Sequence, residues 1–453
     1  MCFRLIEEGA AITRPRYPRG LTDEAAGRND AAEADVGELR QTSLGPLGAA
    51  RRLEPGAAGV WSAFGIGQVP SWRTLAPVER GGGIGTRATL GGLGVGFTVG
   101  WNITAVGAIA TRLSHAYGVG LATVGLFTTA QFVVHMSMQI PGGRIADRFG
   151  ARRTGLAGLG VIAAGNAVSL IAPHPVYAFL GRAIVGLGTG LAFVSGSDYV
   201  RSRGGSPFLQ GVYGSASVLA PGIGLALIPG FANWTGFRAP YLSAIIVAVI
   251  CTVALALAPP GPRTARHSGE RLEVGFLRDV RLYRFAAIHA LSFGFSVVVG
   301  NWVVTLLEHH GHSKGVAAAA GSLTLLLGFF TRIWGGSLLR RPDASRWVAA
   351  SLVLGGAGAV ALAAPLPVVA LFAAAAVIGL AAGVPFAMAF TGAAAARPEA
   401  PGAAVGYINA WAAFVIVVGT PLVGLTFSLP GDGRIGFVVI GLLAALAALA
   451  TPR

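Results

Sequence analysis

Twelve long apolar runs occupy the chain from about Leu90 to Ala450, separated by short turns that hold most of its charge. A run of about 20 apolar residues wound as a helix matches the thickness of a bilayer's hydrocarbon core. Lipid offers no partner to backbone N–H and C=O groups, so a spanning segment must satisfy them internally, which a helix does along its length. The pattern predicts an all-α polytopic membrane protein with spans at 89–113, 121–142, 153–173, 176–199, 207–230, 239–258, 284–307, 316–338, 347–364, 367–390, 403–427 and 433–450. Charged residues make up 12% of the chain, half of the roughly 25% found in soluble domains. Glycine, 68 of 453 residues, suits helices that pack backbone against backbone in lipid.

The net charge of +15 raises the question of a nucleic-acid partner, and the placement of the charge argues against one. Residues 1–87 hold 11 Arg and 10 acids, whereas residues 88–453 hold 22 Arg, Lys314 and 9 acids. The excess sits in alternate turns: at Arg144, Arg148, Arg152 and Arg153, at Arg201 and Arg203, at six arginines between 263 and 284, and at Arg340, Arg341 and Arg346. The intervening turns carry Arg112, Arg238, Lys314 and Arg434. Basic residues mark cytoplasmic loops, so a multi-pass protein with both termini in the cytoplasm is expected. The near-exclusive use of arginine, with Ala and Gly in excess, points to a GC-rich bacterial source and hence to a bacterial inner (cell) membrane. The two cysteines, Cys2 and Cys251, offer neither a disulfide framework nor a metal site. No cofactor is implied.

Residues 1–87 lack sustained apolar periodicity and read as a disordered cytoplasmic tail, or as sequence upstream of a true start near Val69 or Val78. A Pro-rich, basic linker at 259–283 then separates an N-terminal six-helix bundle, 88–258, from a C-terminal one, 284–453. The halves echo each other. Gln139-Ile-Pro-Gly142-Gly143 recurs as Arg332-Ile-Trp-Gly335-Gly336, and Gly186-Leu-Gly188-Thr-Gly190 as Gly379-Leu-Ala381-Ala-Gly383, both at an offset of 193.

Between the second and third runs lies Gly143-Arg-Ile-Ala-Asp147-Arg148-Phe-Gly150-Ala-Arg152-Arg153. This turn, in a chain of twelve duplicated spans, resembles the best-known motif of the major facilitator superfamily of secondary transporters. The resemblance covers residues 88–453 and implies the major facilitator fold: twelve transmembrane helices in two pseudo-symmetric six-helix bundles that rock about a midplane site. It also implies a monomer with no enzymatic activity. Gly143, Asp147, Arg148, Gly150 and Arg152 become the expected gating set, latching the cytoplasmic side. Ala151 stands where the family often has its first basic residue, and Arg340 where the second-half copy of Asp147 would map. Asp147→Asn is therefore expected to impair transport while sparing membrane insertion, and Arg340→Asp to do little. Normal transport rates in the Asp147 variant would remove the gating role.

Other local matches are partial. Leu180-Gly-Arg182-Ala-Ile-Val-Gly186 resembles a family motif with an intramembrane arginine, a residue that normally faces a cavity or a partner. The fifth run, with Ala220-Pro221-Gly222, matches the antiporter motif incompletely. Arg332 before Trp334-Gly335-Gly336 resembles the anion-binding arginine of nitrate, nitrite and cyanate transporters, but their second arginine is replaced by Gln139. Gly81-Gly-Gly-Ile-Gly lacks the lysine of a phosphate loop.

No acid falls at mid-membrane depth; Asp198 and Glu308 lie at run ends. A cationic substrate would have no counter-charge, so the expected partner is a small anion or neutral organic solute, with protons as a possible coupling ion. A multidrug or metabolite efflux antiporter is the alternative. Family architecture directs Asn102, Gln131, His135, Arg182, Tyr213, Asn301, Arg332, Asn409 and Trp411 toward a central cavity. The candidate proton carriers are His135, His289 and the Glu308-His309-His310 cluster, and His135, one helical turn from Gln131 and one from Gln139, is the foremost of them.

Overall fold

The computed structural model describes residues 85–204, 207–261, 279–339, 341–397 and 401–452; the expected tail, most of the linker and Arg340 lie outside them. The described residues are helical and form part of one compact unit, Val78–Arg453. In chain order the helices are α1 (Thr86–Thr104), α2 (Ala110–Tyr117), α3 (Leu121–Ser137), α4 (Gln139–Phe149), α5 (Ala151–Val168), α6 (Pro175–Ser202), α7 (Pro207–Thr235) and α8 (Ala239–Ala256) in the first half. The second half holds α9 (Val280–His289), α10 (Phe295–His309), α11 (Lys314–Leu338), α12 (Ala344–Leu362), α13 (Val368–Ala396), α14 (Pro401–Thr426) and α15 (Arg434–Leu446).

Each of the twelve expected spans is helical, and three of them are interrupted. The first bends by 41° where a short 3-10 turn, Gly107–Ile109, separates α1 from α2. The second breaks at Met138, and Pro141 in the first turn of α4 supplies no N–H for continuing α3. In the seventh, α9 passes into α10 through a π-helical turn, Ala290–Gly294. Such turns widen a helix by one residue and cluster at functional sites. Seven helical stretches are individually long and apolar enough to cross a bilayer, and the bent α1–α2 pair makes an eighth. One of the seven runs through α7 and α8, which the left-handed Gly236 (φ +61°) divides in two.

The internal repeat is physical. A Cβ on Gly190 would meet the His135 carbonyl oxygen at 2.8 Å, and one on Gly383 would meet that of Gly328 at 2.5 Å. Both members of the second pair lie 193 residues beyond those of the first. The same backbone-to-backbone seam, open only to glycine, therefore joins α3 to α6 and α11 to α13.

Among the described residues, Arg152 donates to the Leu255 and Ala256 carbonyls and Arg203 to that of Pro260 in the first half, while Arg281 donates to that of Ala396 and Arg284 to that of Ala450 in the second; this end is called here the basic end. At the opposite, far end the halves are sealed together. Thr111 of α2 donates to Glu308 of α10 at 3.2 Å, Thr129 of α3 donates to the Val417 carbonyl of α14 at 2.7 Å, and Trp302 of α10 donates to the Thr420 carbonyl at 2.7 Å. Gly107 lies against the backbone of Asn301 and Gly125 against that of Pro421. Nearer the middle, α7 packs on α11. Toward the basic end the dense packing of α4 and α6 stays within the first half and that of α9 and α13 within the second, among the described residues. We infer from this difference that the halves part toward the basic end, and the space between them is called here the cleft.

Candidate functional site

The second-half wall of the cleft is built around Arg332 of α11. It is 7% exposed, donates to the Gly214 carbonyl of α7 at 3.0 Å, and so reaches across from one half to the other. Its guanidinium lies over the rings of Phe386 (4.2 Å) and Phe293 (5.2 Å). Among the described residues no acid is paired with it. Beside it, His289 at the start of the π turn stacks nearly parallel on Phe293, with ring centroids 5.6 Å apart, and meets Phe390 edge-on at 5.0 Å. Its Nε2 lies 2.9 Å from Oδ1 of Asn409 on α14, while its buried Nδ1 has no hydrogen-bond partner. The amide oxygen can only accept, so Nε2 carries the proton and Nδ1 presents a bare lone pair.

The first-half wall is carried by α3 and α6. His135, half-buried, places Nδ1 3.0 Å from Thr189 Oγ1 and Nε2 2.8 Å from Gln139 Nε2. The Thr189 hydroxyl donates to the Gly186 carbonyl at 3.1 Å, so it accepts from His135, and Gln139 donates to Nε2. Neutral His135 is thereby fully satisfied. Gln131, one turn away, is 2% exposed and its Oε1 has no partner. From His135 the contacts run through Phe193 and Tyr213, ring to ring, to Gly214 and so to Arg332.

Five residues expected in the cavity sit elsewhere. Arg182, 1% exposed, donates to the Asn102 carbonyl at 2.7 Å, with the bonded Tyr117–Tyr241 hydroxyl pair within electrostatic range. Asn102 also accepts from Asn166 of α5 at 3.0 Å. Both therefore face the interior of the first half, where α1, α5 and α6 bring polar groups together, with Nε of Arg182 and Oδ1 of Asn166 left without a hydrogen-bond partner. Tyr213 likewise points inward and donates to the Phe193 carbonyl at 2.7 Å, its ring filling the space left by Gly96 and Gly196. Trp411 is 39% exposed and shares a stripe of α14 with Phe414, Val418, Leu422 and Leu425, all exposed. That stripe faces outward, and Trp411 clusters with Tyr283 and Tyr407, as aromatic residues do at the edge of a bilayer. Asn301 belongs to the far-end seal, where it donates to the Ile103 carbonyl at 3.3 Å and accepts from Thr128 at 3.3 Å.

At the basic end, Gly150 adopts φ +90° and its N–H closes α4 on the Ala146 carbonyl at 2.8 Å. At Gly143 α4 lies on α6, but a Cβ there would stand 3.7 Å from Val194, an ordinary contact, so the packing does not require glycine at this position. Arg152 caps the carbonyls of Leu255 and Ala256 at the C-terminus of α8, inside its own half, a place where helix dipoles favour a cation. Arg148 is exposed over the ring of Phe149. Asp147 lies on α4, and its side chain is outside the described set. The second half carries an acid clamp of its own that the sequence did not suggest. Asp279 caps α9 and binds both Arg281 and Arg397, tying α9 to the end of α13. Its carboxyl is partly desolvated, which opposes ionisation, but these arginines outweigh that and hold it below the usual carboxylate range.

Phe293, Phe386 and Phe390 were absent from the sequence expectation, whereas His289 stood in it as a second candidate proton carrier. The repeat could have found one of them, since Phe386 is Phe193 displaced by 193, just as Arg332 is Gln139 displaced by 193.

The sequence profile of the Major Facilitator Superfamily matches residues 92–420. A comparison with curated proteins gave no match. Among solved structures, a point mutant of the nucleoside transporter NupG aligns with a TM-score of 0.65 at 14% identity, over 81% of this chain and 98% of its own. The D-xylose–proton symporter aligns with a TM-score of 0.64 at 15% identity, over 80% of this chain and 96% of its own. Those identities speak for the fold alone, but the fold, the glycine-framed turn and the profile match agree. The chain is a non-enzymatic, multi-pass membrane protein that belongs to the Major Facilitator Superfamily of secondary transporters.

Proposed function

We propose that the protein carries a small organic anion across a bacterial inner membrane by alternating access, with the basic end in the cytoplasm and the cleft facing inward. One observation carries this reading: Arg332 is buried in the cleft with no acid among the described residues paired to it, and its hydrogen bond there is to a carbonyl of the opposing half. A buried guanidinium is costly unless something compensates it. An anion entering from the open end supplies that compensation. Asp198, the acid nearest this depth on α6, is already paired with Arg201, so a cation would find no counter-charge there. Efflux of lipophilic compounds has the phenylalanines of the cleft in its favour, and a neutral organic solute would be tolerated by them. Uptake into proteoliposomes of labelled anions, neutral solutes and quaternary-ammonium drugs, with and without a proton gradient, decides among these. Saturable transport of a quaternary-ammonium compound that survives alanine at Asp198 and Glu308 would end the anion reading.

The hydrogen bonds also reassign the proton. A proton added to His135 would confront the Gln139 amide N–H, whereas one added to His289 Nδ1 would occupy a lone pair that nothing else uses. Arg332 opposes a charge on His289 until an anion neutralises it, so anion and proton should arrive together. His289→Gln is expected to uncouple substrate flux from proton flux, and His135→Gln to leave the coupling ratio unchanged. The reverse pattern, read from pH changes in loaded vesicles, would return the role to His135.

A further inference from the structure

Resting on that anion reading, we propose that the substrate is a monocarboxylate whose body is a flat apolar ring, an aromatic acid rather than an inorganic anion or an amino acid. Three features of the cleft select it. The first is the charge. Arg332 is the cation buried on this wall and has no acid beside it, so one negative charge is balanced and a second would be left bare in a poorly hydrated place. Phosphate dianions and dicarboxylates are disfavoured on that ground.

The second is what surrounds the guanidinium. An inorganic oxyanion needs donors on every side. Here the neighbours are phenylalanines: Phe386 and Phe293 cover the guanidinium, Phe386 and Phe390 lie 4.2 Å apart, and His289 packs on Phe293 and Phe390. All three phenylalanines are half-buried, so ring surface remains open to the cleft. On the facing wall Phe193, the symmetry counterpart of Phe386, is half-buried as well. A carboxylate on Arg332 would leave the rest of the ligand against aromatic faces from both halves, where a flat ring makes offset or edge contacts.

The third is the missing acid. Among the described side chains Asp198 is taken by Arg201, Asp279 by Arg281 and Arg397, and Glu308 lies in the far-end seal. An α-ammonium group would find no free carboxylate among these, only neutral acceptors such as the His289 Nδ1 lone pair that the proposed proton takes, which disfavours an aromatic amino acid of the same shape.

The experiment measures binding of benzoate, cyclohexanecarboxylate, acetate, nitrate and phenylalanine to the purified full-length protein by calorimetry and by competition. Benzoate should bind at least ~10-fold more tightly than acetate or nitrate, on the scale of one or two aromatic contacts. Cyclohexanecarboxylate should fall between, and phenylalanine should fail to compete. Phe386→Leu, which nearly conserves volume, should weaken benzoate more than acetate and so bring the two affinities together. Acetate or nitrate binding as tightly as benzoate, or phenylalanine competing with benzoate, would overturn the aromatic-acid assignment and leave the anion reading intact. Binding of none of the anions would remove the anion reading itself.

Discussion

Arg332→Gln is expected to abolish saturable anion transport while the protein still inserts and folds. Truncating one partner of a buried, hydrogen-bonded charge pair typically costs ~2–5 kcal/mol, which corresponds to a loss of roughly 30-fold or more in affinity. Glutamine keeps a donor and much of the length, so the Gly214 carbonyl can remain bonded, and the variant isolates the charge. Arg332→Lys should recover only part of the loss. An ammonium keeps the charge but cannot lie flat over Phe386 at 4.2 Å while also reaching Gly214. The readout is equilibrium binding of the anion together with initial uptake rates, normalised to protein recovered in the membrane. Uptake by the glutamine variant within a few-fold of the parent would show that the charge serves packing between the halves and not the substrate.

The contrast between Arg332 and Arg182 shows where sequence reasoning stops. Both are arginines inside apolar runs, and both were expected in the cavity. Sequence reveals a residue's depth along a helix, because run boundaries and basic turns mark the membrane surfaces. It reveals poorly the direction the side chain takes around the helix, because in a bundle every helix has several protein neighbours. Arg182, Asn102 and Tyr213 turned into their own half, where each meets a neighbouring carbonyl or amide. Arg332 turned across the cleft. The spans themselves were legible, since length and hydrophobicity alone decide what can cross a bilayer. The breaks at Gly107, Met138 and the π turn were less so, because tertiary packing sets where a long helix yields. The phenylalanines of the cleft were overlooked for a related reason: in a chain this apolar, an aromatic residue lining a cleft looks like one facing lipid.

The other large effect belongs to the far-end seal. Gly107 meets the backbone of Asn301 so closely that a Cβ would lie 2.5 Å from both its Cα and its carbonyl oxygen. Backbone atoms cannot swing aside as a flexible side chain can, so Gly107→Leu must hold the two halves apart at this end. Overpacking of this kind costs ~1–3 kcal/mol or more. The penalty falls on the state in which the far end is closed, and relief comes when that end opens. If the halves alternate as proposed, the equilibrium shifts toward the far-end-open form by ~10- to 100-fold, and transport falls because the return step is blocked. Thr128 provides the reporter: it is 1% exposed and lies within the seal, hydrogen-bonded to Asn301. In a background lacking Cys2 and Cys251, Thr128→Cys should react slowly with a membrane-impermeant maleimide applied from the far side. Adding Gly107→Leu should make that reaction fast. Gly125→Val, which presses on Pro421 of the same seal from α3, should do the same independently. Labelling that stays slow in both variants, in protein that still inserts and binds substrate, would mean that this contact does not separate during transport, and the rocking axis would have to lie elsewhere.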